Sequence, residues 1–261
     1  MADNHGYRYG DGLSETMKVF RGKIILQPFH FERLFDGLAL LQFETPRSFT
    51  EKKLVKEILL LCKKNHCENL ARVRLSVFRG NGGLYDENLT LQYLIECRAI
   101  NENMNQISKK GLRIDIFPGM LKNADAYSNL KSANFLPYVL ASQHAQEHSL
   151  DDCLVCNTGG HIADATIANI FLVKNNLIIT PALTEGCVSG VMRKYLIQKL
   201  KEINFDIREG VVTKNDLETF DEVFLTNAVS GMRWVKKFRS KKYRNTQSLR
   251  IFKEIIAPLY I

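Results

Sequence analysis

Between residues 29 and 95 the apolar residues change their spacing, and that change restricts the fold more than any other feature of the chain. Phe31, Leu34, Phe35, Leu38 and Leu41 fall on one helical stripe, which predicts a helix over 29–42 with a single buried face. A second helix is predicted over 50–66, with Thr50 as its N-cap. Val73, Leu75 and Val77 then alternate with Arg72, Arg74 and Ser76, the period-two pattern of a half-buried strand over 71–79. Gly80-Asn81-Gly82-Gly83 ends that strand, and 89–95 returns as another. Strands over 15–20 and 23–26, around the turn Arg21-Gly22, precede the first helix.

Residues 101–110 are polar and have no period, which marks a linker between domains. Beyond it the pattern predicts strands over 112–116, 153–156, 169–173, 177–180 and 222–225. Helices are expected over 132–148, with Leu136, Val139 and Leu140 on the apolar face, over 189–203 and 217–220, and over 246–256, stopped ahead of Pro258. The fold class is α/β (α+β) in two domains. A small N-terminal α/β domain covers 1–100, a linker 101–111, and a larger C-terminal domain 112–261.

Composition excludes several classes of function. A chain of 261 residues can bury a sizeable core. No apolar run approaches the ~20 residues of a membrane span, and Met-Ala-Asp-Asn-His has no apolar signal region, so a cytoplasmic protein is expected. The six cysteines are scattered and read as reduced thiols rather than a disulfide framework. The net charge of +8 suits either a nucleic acid or an anionic small molecule. Its densest patch, Lys236-Lys237-Phe238-Arg239 with Lys241, Lys242 and Arg244, lacks a nucleic-acid motif and reads as solvated surface, so the anionic small molecule is preferred.

Two short patterns invite a metal or redox reading. His144-Ala145-Gln146-Glu147-His148 has the H-x-x-E-H spacing of a zinc site, yet it falls on the polar side of its helix and lacks a third ligand downstream. Cys153-Leu154-Val155-Cys156 has C-x-x-C spacing inside a strand, which sends the two thiols to opposite faces. No metal is expected.

Leu130-Lys131-Ser132-Ala133-Asn134-Phe135-Leu136 resembles the cofactor-lysine segment of the class IV (fold type IV) pyridoxal-phosphate enzymes. A lysine whose charge is disfavoured by burial becomes an amine nucleophile able to form a Schiff base. Four further stretches resemble that family, in its order: Tyr9-Gly10-Asp11-Gly12, His30-Phe31-Glu32-Arg33-Leu34, Gly160-His161-Ile162-Ala163-Asp164 running on to Asn169-Ile170-Phe171, and Gly190-Val191-Met192-Arg193. The resemblance implies a two-domain enzyme whose C-terminal domain is a pseudo-barrel carrying the cofactor lysine, Lys131.

It also implies a role for each site residue. Asp164, where the family usually has Glu, answers the ring nitrogen; it is shorter by one bond, roughly 1.5 Å. Arg33, the helix opening at Val191 and Met192, and Asn227 with Ala228 answer the cofactor phosphate. His30 reads as structural. Met192 and Ala228 replace threonines common in the aminotransferases and, with Asn227, resemble the aminodeoxychorismate lyases. Arg79, with Arg74 as a weaker candidate and Glu15 facing the cofactor, resembles the substrate side of the D-amino acid aminotransferases; each equally suits a solvated strand position.

The implied reaction is therefore release of pyruvate and 4-aminobenzoate from 4-amino-4-deoxychorismate, a step of folate biosynthesis. The alternatives are amino transfer from a branched-chain or D-amino acid to a 2-oxo acid, and a member that has lost catalysis. A homodimer acting on a small anionic substrate is implied as well, with the family's further N-terminal strand expected to be missing.

Overall fold

In a computed structural model of the chain, which describes residues 4–86 and 90–261, the alternating strand and the helical stripe close over each other in the first of two units. That unit is the chain up to Glu102 together with Leu130–Asn134. Its elements are α1 (His5–Tyr9), β1 (Gly12–Phe20), β2 (Lys23–Ile24), α2 (Gln27–Leu40), α3 (Glu51–Lys64), β3 (Leu70–Arg79) and β4 (Leu91–Ala99). Leu89, the expected start of the returning strand, lies outside the described residues.

The strands form an antiparallel sheet in the order β2-β1-β3-β4. Its inward residues Met17, Val19, Val73, Leu75 and Val77 pack on Phe31, Leu34 and Leu38 of α2 and on Leu54 and Ile58 of α3. Each such side chain contributes roughly 1.5–3 kcal/mol by leaving water. Pro28 fixes the opening turn of α2, and Thr50 Oγ1 accepts the Lys53 N–H at 3.3 Å to cap α3, as its sequence predicts.

The second unit, Asn103–Asn129 with Phe135–Ile261, holds β5 (Leu112–Ile116), α4 (Leu136–Glu147), β6 (Asp152–Cys156), β7 (Ile162–Ala165), β8 (Asn169–Lys174) and β9 (Leu177–Pro181). After these come α5 (Val191–Glu202), β10 (Asp206–Gly210), α6 (Lys214–Thr219), β11 (Glu222–Asn227), β12 (Gly231–Phe238), β13 (Lys241–Lys242) and α7 (Thr246–Ile251). Its mixed sheet runs β10-β9-β8-β11-β12-β5-β6-β7 with β13 on β12, and curls into a half-barrel. Among the described residues no helix is long and apolar enough to cross a membrane.

The structure departs from the expected periods in several places. The helix expected from 132 begins at Leu136, since Pro137 belongs in a first turn and not in a helix interior. Its buried face is Tyr138, Ala141 and Ala145, while Leu136 and Val139 are exposed. The lysine segment ahead of it is extended and pairs with β1: Ser14 N–H donates to the Lys131 carbonyl and Ala133 N–H to the Gly12 carbonyl, each at 2.9 Å. It therefore belongs to the first unit, where the sequence reading had placed it with the C-terminal domain. Lastly, β12 takes in Lys236 and Lys237, exposed between buried Val235 and Phe238, and the chain past α7 continues helically through Pro258 to Tyr260.

The two thiols of the C-x-x-C stretch are buried and free. Cys153 packs beside α4 with Val155, while Cys156 joins Leu154 in the other core, the opposite-face arrangement its spacing requires.

Candidate active site

Glu15 lies on the inward phase of β1 with Leu13 and Met17, facing α2. His30 and Arg33, three residues apart on α2, share one face and reach it together. Arg33 donates from Nε and Nη2 to the two Glu15 oxygens, each at 2.7 Å, and His30 Nδ1 lies 2.5 Å from Oε2. Burial alone would push the Glu15 carboxyl up, but the Arg33 and His30 charges and hydrogen bonds outweigh it and hold it down at about 2. His30 is fully buried, which agrees with its structural reading.

Lys131 is half-buried on the extended segment beside this group. Burial, then the Arg33 charge, lowers its amine from 10.5 to about 8; Glu15 opposes the change, while Arg74 and Arg72 add to it. A folded lysine so placed gives up its proton far more readily than a solvated one.

Arg79 is tied elsewhere in the same unit. Its Nη1 donates to Asp11 Oδ1 at 2.7 Å, its Nη2 to the carbonyls of Leu41 and Gln42 at 2.5 and 3.2 Å, and its guanidinium lies over the Phe43 ring. It clamps the end of β3 to the exit of α2. Arg74 is exposed, with Nε donating to Ser76 Oγ at 3.2 Å.

In the second unit, Asp164 sits inside β7 and not at a turn, and is 2% exposed. Gly160, at φ 78, turns the chain between β6 and β7, and Asn157 Oδ1 accepts the N–H groups of Gly159 and His161 there. Asp164 Oδ2 accepts from the Tyr138 hydroxyl at 2.7 Å, from Lys122 Nζ at 3.1 Å and from the Val188 N–H at 3.1 Å; Oδ1 accepts from Asn169 Nδ2 at 3.1 Å. Burial first, then Asp164, raises the Tyr138 hydroxyl, which keeps it a donor.

Asn169 also fixes the opening of α5. Its Nδ2 donates to the Val188 carbonyl at 2.8 Å, and a Cβ at Gly190 would fall 1.8 Å from its Oδ1, so only glycine allows the approach. Helix α5 then starts at Val191 and Met192 with no side-chain cap and no acidic residue in its first turn. Its first N–H groups and its dipole suit an anion. Thr226 is in register with Asn169 across β11 and β8, and its buried Oγ1 has no hydrogen-bond partner among the described residues. Next to it, Asn227 Oδ1 accepts the N–H groups of Val229 and Ser230 and the Ser230 hydroxyl, holding the turn that carries Ala228.

Lys122, Tyr138 and Thr226 were not assigned from sequence. Tyr138 had a signal: it shares the buried stripe of α4 with Ala141 and Ala145, where a hydroxyl needs a partner. Lys122 is a single polar residue without a pattern, while Thr226 opens the stretch Thr226-Asn227-Ala228 that resembles the aminodeoxychorismate lyases.

A family model described as Amino-transferase class IV matches residues 12–238. The chain is 28% identical over 254 residues to a Methanocaldococcus jannaschii protein carrying a provisional branched-chain-amino-acid aminotransferase name, covering 97% of this chain and 87% of that one. It is 27% identical over 231 residues to the aminodeoxychorismate lyase of Bacillus subtilis, covering 87% and 77%. Among solved structures, the 4-amino-4-deoxychorismate lyase of Pseudomonas aeruginosa shares the fold at a TM-score of 0.84 and 24% identity, over 98% of this chain and 95% of that one.

The residues present fit that family's cofactor. A poised amine, a buried carboxylate whose other partners are mostly neutral, an uncapped helix opening and an orphaned hydroxyl are the donor and acceptor types that pyridoxal phosphate requires. With the family model spanning most of its length, this chain belongs to the class IV aminotransferase family and is an enzyme using pyridoxal 5'-phosphate.

Proposed function

We propose that the enzyme is a 4-amino-4-deoxychorismate lyase, releasing 4-aminobenzoate and pyruvate for folate biosynthesis. The observation that carries this choice over an aminotransferase is the commitment of Arg79. The residues that resemble the D-amino acid aminotransferases are Glu15 and Arg79, and both are held in ion pairs, Glu15 by Arg33 and His30 and Arg79 by Asp11. The lyase-like residues Met192, Asn227 and Ala228 stand at an uncapped helix opening and in the turn after β11. A lyase and aminotransferases stand side by side among the relatives, so the choice rests on the site residues.

Pyridoxal phosphate, when bound, supplies an electron sink for the substrate bonds around Cα. Lys131 would hold it, and its amine would move a proton at the substrate Cα. Asp164 holds the proton on the ring nitrogen. The N–H groups of Val191 and Met192 and the turn at Asn227 and Ala228 are proposed to bind the phosphate; Arg33, which the resemblance also assigns to it, donates from Nε and Nη2 to Glu15. Arg74 is the candidate for a substrate carboxylate, and Arg79 is left out of that role. The enzyme is proposed to act as a cytoplasmic homodimer.

The test is incubation of the yellow holoenzyme with 4-amino-4-deoxychorismate. Equal yields of 4-aminobenzoate and pyruvate are expected, and borohydride fixes the cofactor on the peptide containing Lys131. Lys131→Ala should lower the rate by at least about 10²–10⁴-fold. Amino transfer from alanine or a branched-chain amino acid to 2-oxoglutarate, with no 4-aminobenzoate, would make the enzyme an aminotransferase.

A further inference from the structure

Half of the chain's cysteines meet at one point of the first unit, where α3 and the turn after it approach β4. Cys62 is on the last turn of α3, Cys67 follows that helix, and Cys97 is on β4 opposite Val73. The left-handed residue His66, at φ 54, curls the chain so that the Cys67 N–H reaches the Cys62 carbonyl at 3.0 Å. Cys67 Sγ then lies 3.7 Å from Cys97 Sγ, and all three sulfurs fall within 4.8 Å of one another.

We propose that Cys62, Cys67 and Cys97 form a binding site for a thiophilic divalent cation of the zinc class. The spacing carries the proposal. Metal–sulfur bonds of about 2.3 Å place two sulfurs about 3.8 Å apart in a tetrahedral site and about 4.0 Å apart in a trigonal one. Cys67 and Cys97 are at that spacing, and the Cys62 sulfur lies within 4.8 Å of both, whereas a disulfide needs about 2.05 Å. The ligand set is all thiol, which selects soft cations over magnesium or calcium.

The surroundings suit a closed structural site. Cys62 and Cys67 are buried, and Cys97 is half-buried on an edge strand, which gives the ion a way in. Glu68 adjoins Cys67, acts on its thiol electrostatically, and has a buried Oε2 with no hydrogen-bond partner among the described residues. The three sulfurs leave a fourth position of a tetrahedral site for water. Binding replaces each sulfur–hydrogen bond by a sulfur–metal bond and releases the proton to solvent, with no change of oxidation state.

The other group with metal-ligand spacing, His144, Glu147 and His148, is largely exposed at the end of α4 and offers no sulfur. Cys153, Cys156 and Cys187 serve as internal controls, since each is buried in the second unit.

The experiment is titration of the full-length holoenzyme with cadmium as a spectroscopic probe, followed by competition with zinc. We expect one cadmium per chain, a sulfur-to-metal absorption band that zinc abolishes, and a raised Tm. Cys97→Ser and Cys67→Ser should remove the band and the Tm shift, with their circular dichroism spectra unchanged, while Cys153→Ser keeps both. Should Cys97→Ser misfold, alkylation protection answers instead: bound zinc should shield three thiols of the unaltered enzyme from iodoacetamide in denaturant. A missing band, a band kept in a folded Cys97→Ser, no shielded thiols, or a Cys67–Cys97 disulfide in freshly isolated protein would overturn the proposal.

Discussion

Glu15 and Asp164 are equally buried carboxylates, at 2% exposure each, and their partners make them different instruments. Glu15 is met by an arginine fork and a histidine, charged or chargeable groups that fix it as an anion. Asp164 is met by one ammonium group, Lys122, and by three neutral donors: the Tyr138 hydroxyl, the Asn169 amide and the Val188 N–H. The first carboxylate is internally neutralised and serves as a strut for α2. The second has one cationic partner, Lys122, and is oriented chiefly by neutral donors.

Glu15→Gln tests the strut most severely. It leaves the half-buried Arg33 beside a neutral amide, and chemical denaturation should show a loss of about 3 kcal/mol. The same carboxylate sets an acid limit. Its folded value of about 2 lies below the ordinary 4.5, so the unfolded chain takes up the proton first as pH falls. The stabilisation is full above about 4.5 and is lost progressively toward 2, and an acid-unfolding profile of Glu15→Gln should lack that leg. An unchanged profile would remove the distinction between the two carboxylates.

Asp164→Asn should act the other way round. The amide keeps the shape, so Tm should fall less than in Glu15→Gln, while kcat drops by about 10²–10³-fold through loss of charge at the ring nitrogen. A variant that unfolds with kcat per folded molecule intact would make Asp164 a strut too.

A smaller effect sharpens the description of Lys131. At pH 8 about half of its amines are neutral, against about 0.3% for a lysine at 10.5. Cofactor uptake by the apoenzyme should therefore quicken about tenfold between pH 7 and 9 and then level off. A rate still climbing tenfold per pH unit at 10 would place the amine in ordinary solvent.

The smallest effect is expected at Arg79. Arg79→Gln frees the carbonyls of Leu41 and Gln42 and should cost about 1–3 kcal/mol of stability, with KM for the substrate changed less than about threefold. A large rise in KM at unchanged stability would restore it to the substrate side.

These contrasts were unevenly legible in the sequence. Helix α2 and strand β3 repeat their apolar residues cleanly, because each buries one face and leaves the other in solvent. Strand β7, Ile162–Ala165, is buried on both faces and only four residues long, so it has no alternation to read. The lysine segment has no period at all, since its place comes from backbone hydrogen bonds to β1. Lys131, Asp164 and the opening of α5 were found by resemblance to a family. The role of Glu15 was not readable, because the residues that claim it stand fifteen and eighteen positions away on a helix whose polar members look alike in sequence.

The pairing of Ser132 with Leu13 spans 119 residues (132 − 13), and this dictates an order of events during synthesis. At ~5–20 residues per second, a ribosome needs about 6–24 s after β1 to deliver the amine beside it. A nascent chain halted at Glu102 would hold Arg33 and Glu15 but lack Lys131. Splitting the gene at that point would leave one fragment with a cradle and the other with its key.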